Sequence, residues 1–163
     1  KEFQIYYKAH MLDNTKPYEG IMDALYRLKR TVGIISLLYP INSMRLVKKL
    51  RQDFFDDVIP VAIGESPSIH KKPAPDTVFQ AMRELDVKPE NCIYIGDSEV
   101  DIQTAANAGI PCISVNWGFK STEFQKENGA AQIVSTPQNC KRYIRYVKNR
   151  GIVFLAGACQ LPG

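Results

Sequence analysis

Histidine is scarce in this chain, and its cysteines are scattered. His10 and His70 are the two histidines, and neither has a partner at metal-ligand spacing, so both read as surface residues. The four cysteines, Cys92, Cys112, Cys140 and Cys159, form no CxxC pair and no Cys/His signature. That excludes a zinc ribbon and a dithiol redox motif, and leaves buried free thiols in a reducing compartment. No apolar run reaches the length of a membrane-spanning helix and no secretory leader is legible, so the expectation is a cytoplasmic protein without a membrane partner. The net charge of +4 is mild, and the basic residues are not interleaved with aromatics in a recognisable motif. Nucleic acid is therefore not the expected partner. The densest basic cluster (Lys141, Arg142, Arg145, Lys148, Arg150) is spaced as the solvated face of an amphipathic helix. Internal repeats and low-complexity tracts are lacking too.

What is present is globular. With 45% apolar and 23% charged residues over 163 positions, the chain suits one domain with its own core. Residues from about Glu2 to Met11 read as helix, and Ile21, Leu25 and Leu28 mark a second one. Val32 to Leu38 is a short β-branched run of strand character. The next helix carries Ile41, Met44, Val47, Leu50 and Phe54 on one side. Val58 to Ile63 reads as a strand in which Pro60 argues for an edge position or an irregular start. Asp76 to Asp86 is helical. Cys92 to Ile95 is a strand, Ser98 to Ala108 a helix stopped by Gly109, and Pro111 to Val115 a strand. A short helix, a short strand (Gln132 to Ser135) and a final helix follow. Strands alternating with helices imply βαβ units, a mainly parallel sheet, and ligands beyond the carboxyl ends of its strands.

Polar residues gather at those ends. Ser36 closes the run VGIIS, Lys72 lies in the loop His70-Lys-Lys-Pro-Ala-Pro-Asp76, and Asp97 closes CIYIGD with Asp101 one helical turn beyond. A hydroxyl, an ammonium and two carboxylates on one rim suit phosphoryl chemistry. Mg²⁺ takes one or two protein carboxylates with waters and a phosphate oxygen; Asp97 would supply a direct ligand, and Asp101 would hold a metal-bound water or orient its partner. Lys72 would neutralise phosphate charge, and Ser36 would donate to a phosphoryl oxygen. Ser98-Glu-Val-Asp101 fits a helix capping box equally well. Taken alone, Ser36 is an ordinary strand hydroxyl and Lys72 a solvated loop lysine.

The order Ser, Lys-Pro, Gly-Asp-Ser-x-x-Asp resembles the haloacid dehalogenase superfamily, and within it the phosphoglycolate phosphatase-like group. Lys72-Pro-Ala-Pro-Asp76 looks like the family's lysine motif and Gly96-Asp-Ser-Glu-Val-Asp101 like its metal-binding acid motif. Asn116-Trp-Gly-Phe119 matches the loop after the next strand, and Lys16-Pro-Tyr-Glu-Gly20 resembles the return from a helical cap. The resemblance implies an α/β fold, a Rossmann-like parallel sheet flanked by helices. Residues 1–16 would be a remnant of the cap, 17–150 a core lacking its first strand, and 151–163 a tail whose structure is left open.

The resemblance further implies Mg²⁺, a small phosphorylated metabolite, and an aspartate that is transiently phosphorylated. Lys72 and Ser36 take the catalytic and phosphate-binding roles, and Asp97 and Asp101 the metal. The family's nucleophile lies in Asp-x-Asp-Gly-Thr on the first strand; no Asp-x-Asp-Gly occurs in this chain. Since the chain starts at Lys1 rather than Met, the expectation is that this strand and most of the cap are missing through truncation. Apolar Leu37-Leu38 after Ser36 is a second departure, and the apolar tail a third. The expected function is a Mg²⁺-dependent phosphatase whose attacking group is not in this polypeptide, which would therefore be inactive as written. A degenerate, non-catalytic relative is the alternative, and a phosphomutase a lesser one. A receiver-type signalling domain has its acids, hydroxyl and lysine in the opposite order. A core deprived of a central strand would also be prone to self-association.

Overall fold

The computed structural model describes residues 10, 13, 15–32, 34–39, 44–64, 68–118, 120–140, 152–156 and 159–160, with the backbone alone for those among 31–46, 152–155 and 159–160. The first predicted helix, apart from helical His10, and the final one with its basic face lie outside the described residues. In chain order the elements are β1 (Lys16–Pro17), α1 (Ile21–Val32), β2 (Ile34–Tyr39), α2 (Met44–Leu50) and a π-helical turn (Arg51–Phe55). Then come β3 (Val61–Gly64), α3 (Asp76–Glu84), β4 (Cys92–Gly96), α4 (Glu99–Asn107), β5 (Cys112–Val115), α5 (Thr122–Glu127) and β6 (Ile133–Val134). β7 (Ile152–Leu155) and β8 (Cys159–Gln160) complete the series.

Six strands form one sheet in the order β3-β2-β7-β4-β5-β6, and every pairing in it is parallel. β1 and β8 make a separate antiparallel pair, Lys16 opposite Gln160 and Pro17 opposite Cys159. At β4 the sheet is buried on both faces, as parallel sheets are. All five residues of β4 are buried, and they alternate. Ile93 and Ile95 join a cluster with Leu25 and Leu28 of α1 and Val47 and Leu50 of α2. Cys92 and Tyr94 join another with Val78 and Met82 of α3 and Ala105 of α4. The helices thus lie in two layers, one on each side.

Most elements fall where their periodicity puts them. Ile21, Leu25 and Leu28 are each no more than 3% exposed. β3 spans Val61–Gly64 rather than Val58–Ile63, so Pro60 precedes the strand, and among the described residues β3 lies at the edge of the sheet as one expectation for that proline had it. One neighbour goes deeper than expected: Phe55 is in the core at 1% exposure, while Phe54 packs partly buried against it. The π turn after α2 inserts an extra residue into the helix, so the inward face moves on by one position.

The tail, whose structure the sequence leaves open, contributes a strand. Residues 152–155 form a strand at the centre of the sheet, so the core has no gap between β2 and β4.

Candidate functional site

Asp101 stands in the first turn of α4, and its carboxylate is saturated. Oδ1 accepts from Lys72 Nζ at 2.9 Å and from the Tyr94 hydroxyl at 3.0 Å. Oδ2 accepts from Ser98 Oγ at 2.7 Å and from the backbone N–H groups of Asp97 and Ser98, both at 3.3 Å. Ser98 Oγ in turn accepts from the Asp101 N–H, closing a capping box. Burial pushes the Asp101 carboxyl up, but the Lys72 ammonium and hydrogen bonds from Ser98, Lys72 and Tyr94 outweigh it, holding the group below its ordinary range. Burial, with the Asp101 charge beside it, drives the Tyr94 phenol well upward, so it stays a neutral donor.

Lys72 is held on three sides. Besides Asp101 it has the Tyr94 ring 5.5 Å from its Nζ, and its loop is pinned where Asn107 Nδ2 of α4 donates to the Pro73 carbonyl at 2.8 Å. Its side chain is only 8% exposed. The solvated-lysine reading is thereby overturned.

Asp97 occupies the turn between β4 and α4. Gln125, fully buried on α5, donates from Nε2 to the Asp97 carbonyl at 3.1 Å and to the Val115 carbonyl at 2.7 Å, joining two strand ends. Glycines allow the close approaches. A Cβ on Gly96 would lie 2.4 Å from the Asp101 Cβ, and one on Gly118 would lie 2.0 Å from Asp97 Oδ2.

Comparison with known proteins decides the lineage. The profile of the haloacid dehalogenase-like hydrolases matches residues 1–115, more than half of the chain. The chain belongs to that family. It is 32% identical over 124 residues to a phosphoglycolate phosphatase of Xylella fastidiosa strain Temecula1, covering 75% of this chain and 53% of that protein. It is 29% identical over 119 residues to the pyrophosphatase PpaX of Bacillus thuringiensis strain Al Hakam, covering 71% and 53%. A solved structure from Lactobacillus delbrueckii subsp. bulgaricus, by assignment a phosphoglycolate phosphatase, superposes with a TM-score of 0.82 at 36% identity, over 87% of this chain and 59% of that one. The chain therefore spans about half the length of the curated relatives it matches.

Within this haloacid dehalogenase-like core, the structure treats the four expected site residues unequally. Lys72, Asp97 and Asp101 share one strand end. Ser36 does not close its strand: it is the third residue of six in β2, paired with Phe154 and so level with Tyr94. That is three residues short of Asp97, about 10 Å along the strand direction. Its side chain lies outside the described residues.

The two acids also part company. Asp101 accepts from five donors on the roughly four lone-pair sites of a carboxylate. In this arrangement it orients Lys72, one of the two roles expected of it, and caps α4. Among the described residues no group of three or more His, Cys, Asp or Glu side chains is placed to hold a metal. A hard cation needing one protein carboxylate, with waters and phosphate oxygens for the rest, would still be served by Asp97.

Sequence reasoning missed Tyr94 and Gln125. A phenol within an otherwise apolar, fully buried strand was a usable signal, since such a hydroxyl needs a partner. Gln125, on a short polar helix, offered none. Among the described residues, no helix is long and apolar enough to cross a membrane.

Proposed function

We propose that the chain is the phosphate-handling core of a Mg²⁺-dependent phosphatase acting on a small phosphate monoester, resembling the phosphoglycolate phosphatases. The observation that carries this reading is the Lys72–Asp101 pair, locked at the end of β4 beside Asp97. A lysine fixed by a carboxylate and a phenol is pre-oriented, so its charge is available to a phosphoryl group without further ordering. Asp97 is the residue that would hold Mg²⁺, which when bound would neutralise phosphate oxygens. Asp101 keeps Lys72 in place, and Gln125 holds the backbone at Asp97. Names borne by relatives, phosphoglycolate phosphatase and pyrophosphatase, support a small phosphorylated metabolite as the partner.

Hydrolysis in this reading runs through an aspartyl phosphate: a carboxylate attacks phosphorus, the alcohol leaves, and water then cleaves the acyl phosphate. The attacking aspartate is not among these residues, because no Asp-x-Asp-Gly is present. The polypeptide is therefore expected to bind inorganic phosphate in the presence of Mg²⁺ and to release none from p-nitrophenyl phosphate. Calorimetric titration tests the first part, with Asp97→Asn expected to abolish the Mg²⁺ dependence. Absence of Mg²⁺-dependent phosphate binding in the parent chain, or its persistence in Asp97→Asn, would refute the assignment.

A further inference from the structure

The sheet order β3-β2-β7-β4-β5-β6 becomes the doubly wound order 3-2-1-4-5-6 if β7 stands in the place of a first strand. β7 follows every other strand of that sheet in the sequence, yet it lies at the centre. It pairs on both sides, Ile34 to Leu37 of β2 opposite Ile152 to Leu155, and Cys92 to Ile95 of β4 opposite the same four residues. The ladder runs one step further, where the Ala156 N–H donates to the Ile95 carbonyl at 2.7 Å. Ala156 is 3% exposed and packs in the cluster that contains Tyr94. Beyond it, β8 pairs with β1, which fastens the same segment to the residues just before α1.

Removing this strand would leave β2 and β4 about 10 Å apart, two inter-strand spacings, so they could not pair with each other. Each would present an open row of N–H and C=O groups at the middle of the fold. The slot therefore accepts a parallel strand from either neighbour, and its occupant has a distinctive composition. Residues 151–163 contain no Asp and no Glu. Since Leu155 is level with Ile95, the strand ends beside the turn that carries Asp97.

We propose that the slot between β2 and β4 is a strand-acceptor site that this polypeptide fills with its own residues Ile152–Leu155, completing its sheet by self-insertion with a strand that carries no attacking carboxylate. The first half of this proposal stands on the pairing alone; the statement about the attacking group rests on the phosphatase reading above. Self-insertion also covers the edges that a gapped core would expose, so the chain has no need of a second copy to cover them.

Amide hydrogen exchange on the full chain, read residue by residue, tests it. The amides of 153–156 are expected to be protected to within tenfold of those of 93–96, as befits a strand with two neighbours. Exchange of 153–156 at the rate of an unstructured peptide, with 93–96 still protected, would overturn the proposal. Ala156→Pro removes the donor to Ile95, and exchange across 152–155 is then expected to rise at least tenfold while 112–115 changes little. Unchanged protection across 152–155 in that variant would count equally against it. If the variant does not fold, exchange in the parent chain still decides. Neither readout involves phosphate or Mg²⁺, so failure of the phosphatase reading would leave both as they are.

Discussion

Lys72 and Asp101 meet at 2.9 Å with side chains only 8% and 5% exposed. Twenty-nine residues separate them in sequence, and each comes from a different α/β unit. A carboxylate so buried is tolerated because its partner and four other groups satisfy it; removing one partner leaves the other stranded.

Replacement of Lys72 by Met is therefore expected to destabilise the chain by about 3–5 kcal/mol. Urea denaturation measures this. The double variant Lys72→Met, Asp101→Asn should recover part of the loss, since no unpaired charge then remains. A double variant as unstable as the sum of the singles would show that the two residues are not coupled.

The depressed Asp101 carboxyl gives stability a direction in pH. Because its folded value lies below its unfolded one, its contribution is fully present above the unfolded value of about 4 and is lost as pH falls through the folded value. The gap in stability between the parent and Asp101→Asn should be widest near neutrality and shrink below about pH 4. Urea midpoints from pH 7 to pH 3 would reveal it. A gap that does not change over this range would contradict the assignment of the charge.

Gly118 is expected to be intolerant of a side chain for a reason local to the site. A Cβ there would overlap Asp97 Oδ2 at 2.0 Å, so either the carboxylate or the loop must move. Gly118→Ala should weaken Mg²⁺-dependent phosphate binding at least tenfold, about 1.4 kcal/mol. Titration calorimetry on the folded variant checks this, and unchanged affinity would remove Asp97 from the site.

The thiols should be inert. Burial raises Cys92, Cys112 and Cys140 to about 12, so almost no thiolate exists at pH 8. Ellman's reagent is expected to leave all three unmodified in the native chain and to titrate them in guanidinium. Rapid native modification of Cys92 or Cys140, which are both buried, would mean that the surrounding core opens readily.

Much of this was readable from local pattern. The helix periods of Ile21, Leu25 and Leu28, the break at Pro60, the capping box at Ser98 and the acid-lysine order all report on neighbours near in sequence, where spacing dictates geometry. Three features did not yield. Phe55 joins the core beside the expected Phe54 because a π turn is invisible to a pattern that assumes a constant helical period. A polar Ser36 after VGII reads as a strand end, whereas the strand continues through Leu37 and Leu38 to Tyr39. The tail was left open because a short apolar segment does not encode which distant strands it will join. Pairing of that kind is decided by the vacancy left by the rest of the sheet.

The position of β7 also sets a timetable. Ribosomes deliver β2, β3, β4, β5 and β6 before residues 152–155, so among the described strands of this sheet the middle one is synthesised after the rest. Until then both flanking ladders must wait half-made, and the final contacts join segments far apart along the chain, which is slow. Nascent chains stalled short of β7 should accordingly be the protease-sensitive form, with the two central ladders completed once residues 152–155 have emerged.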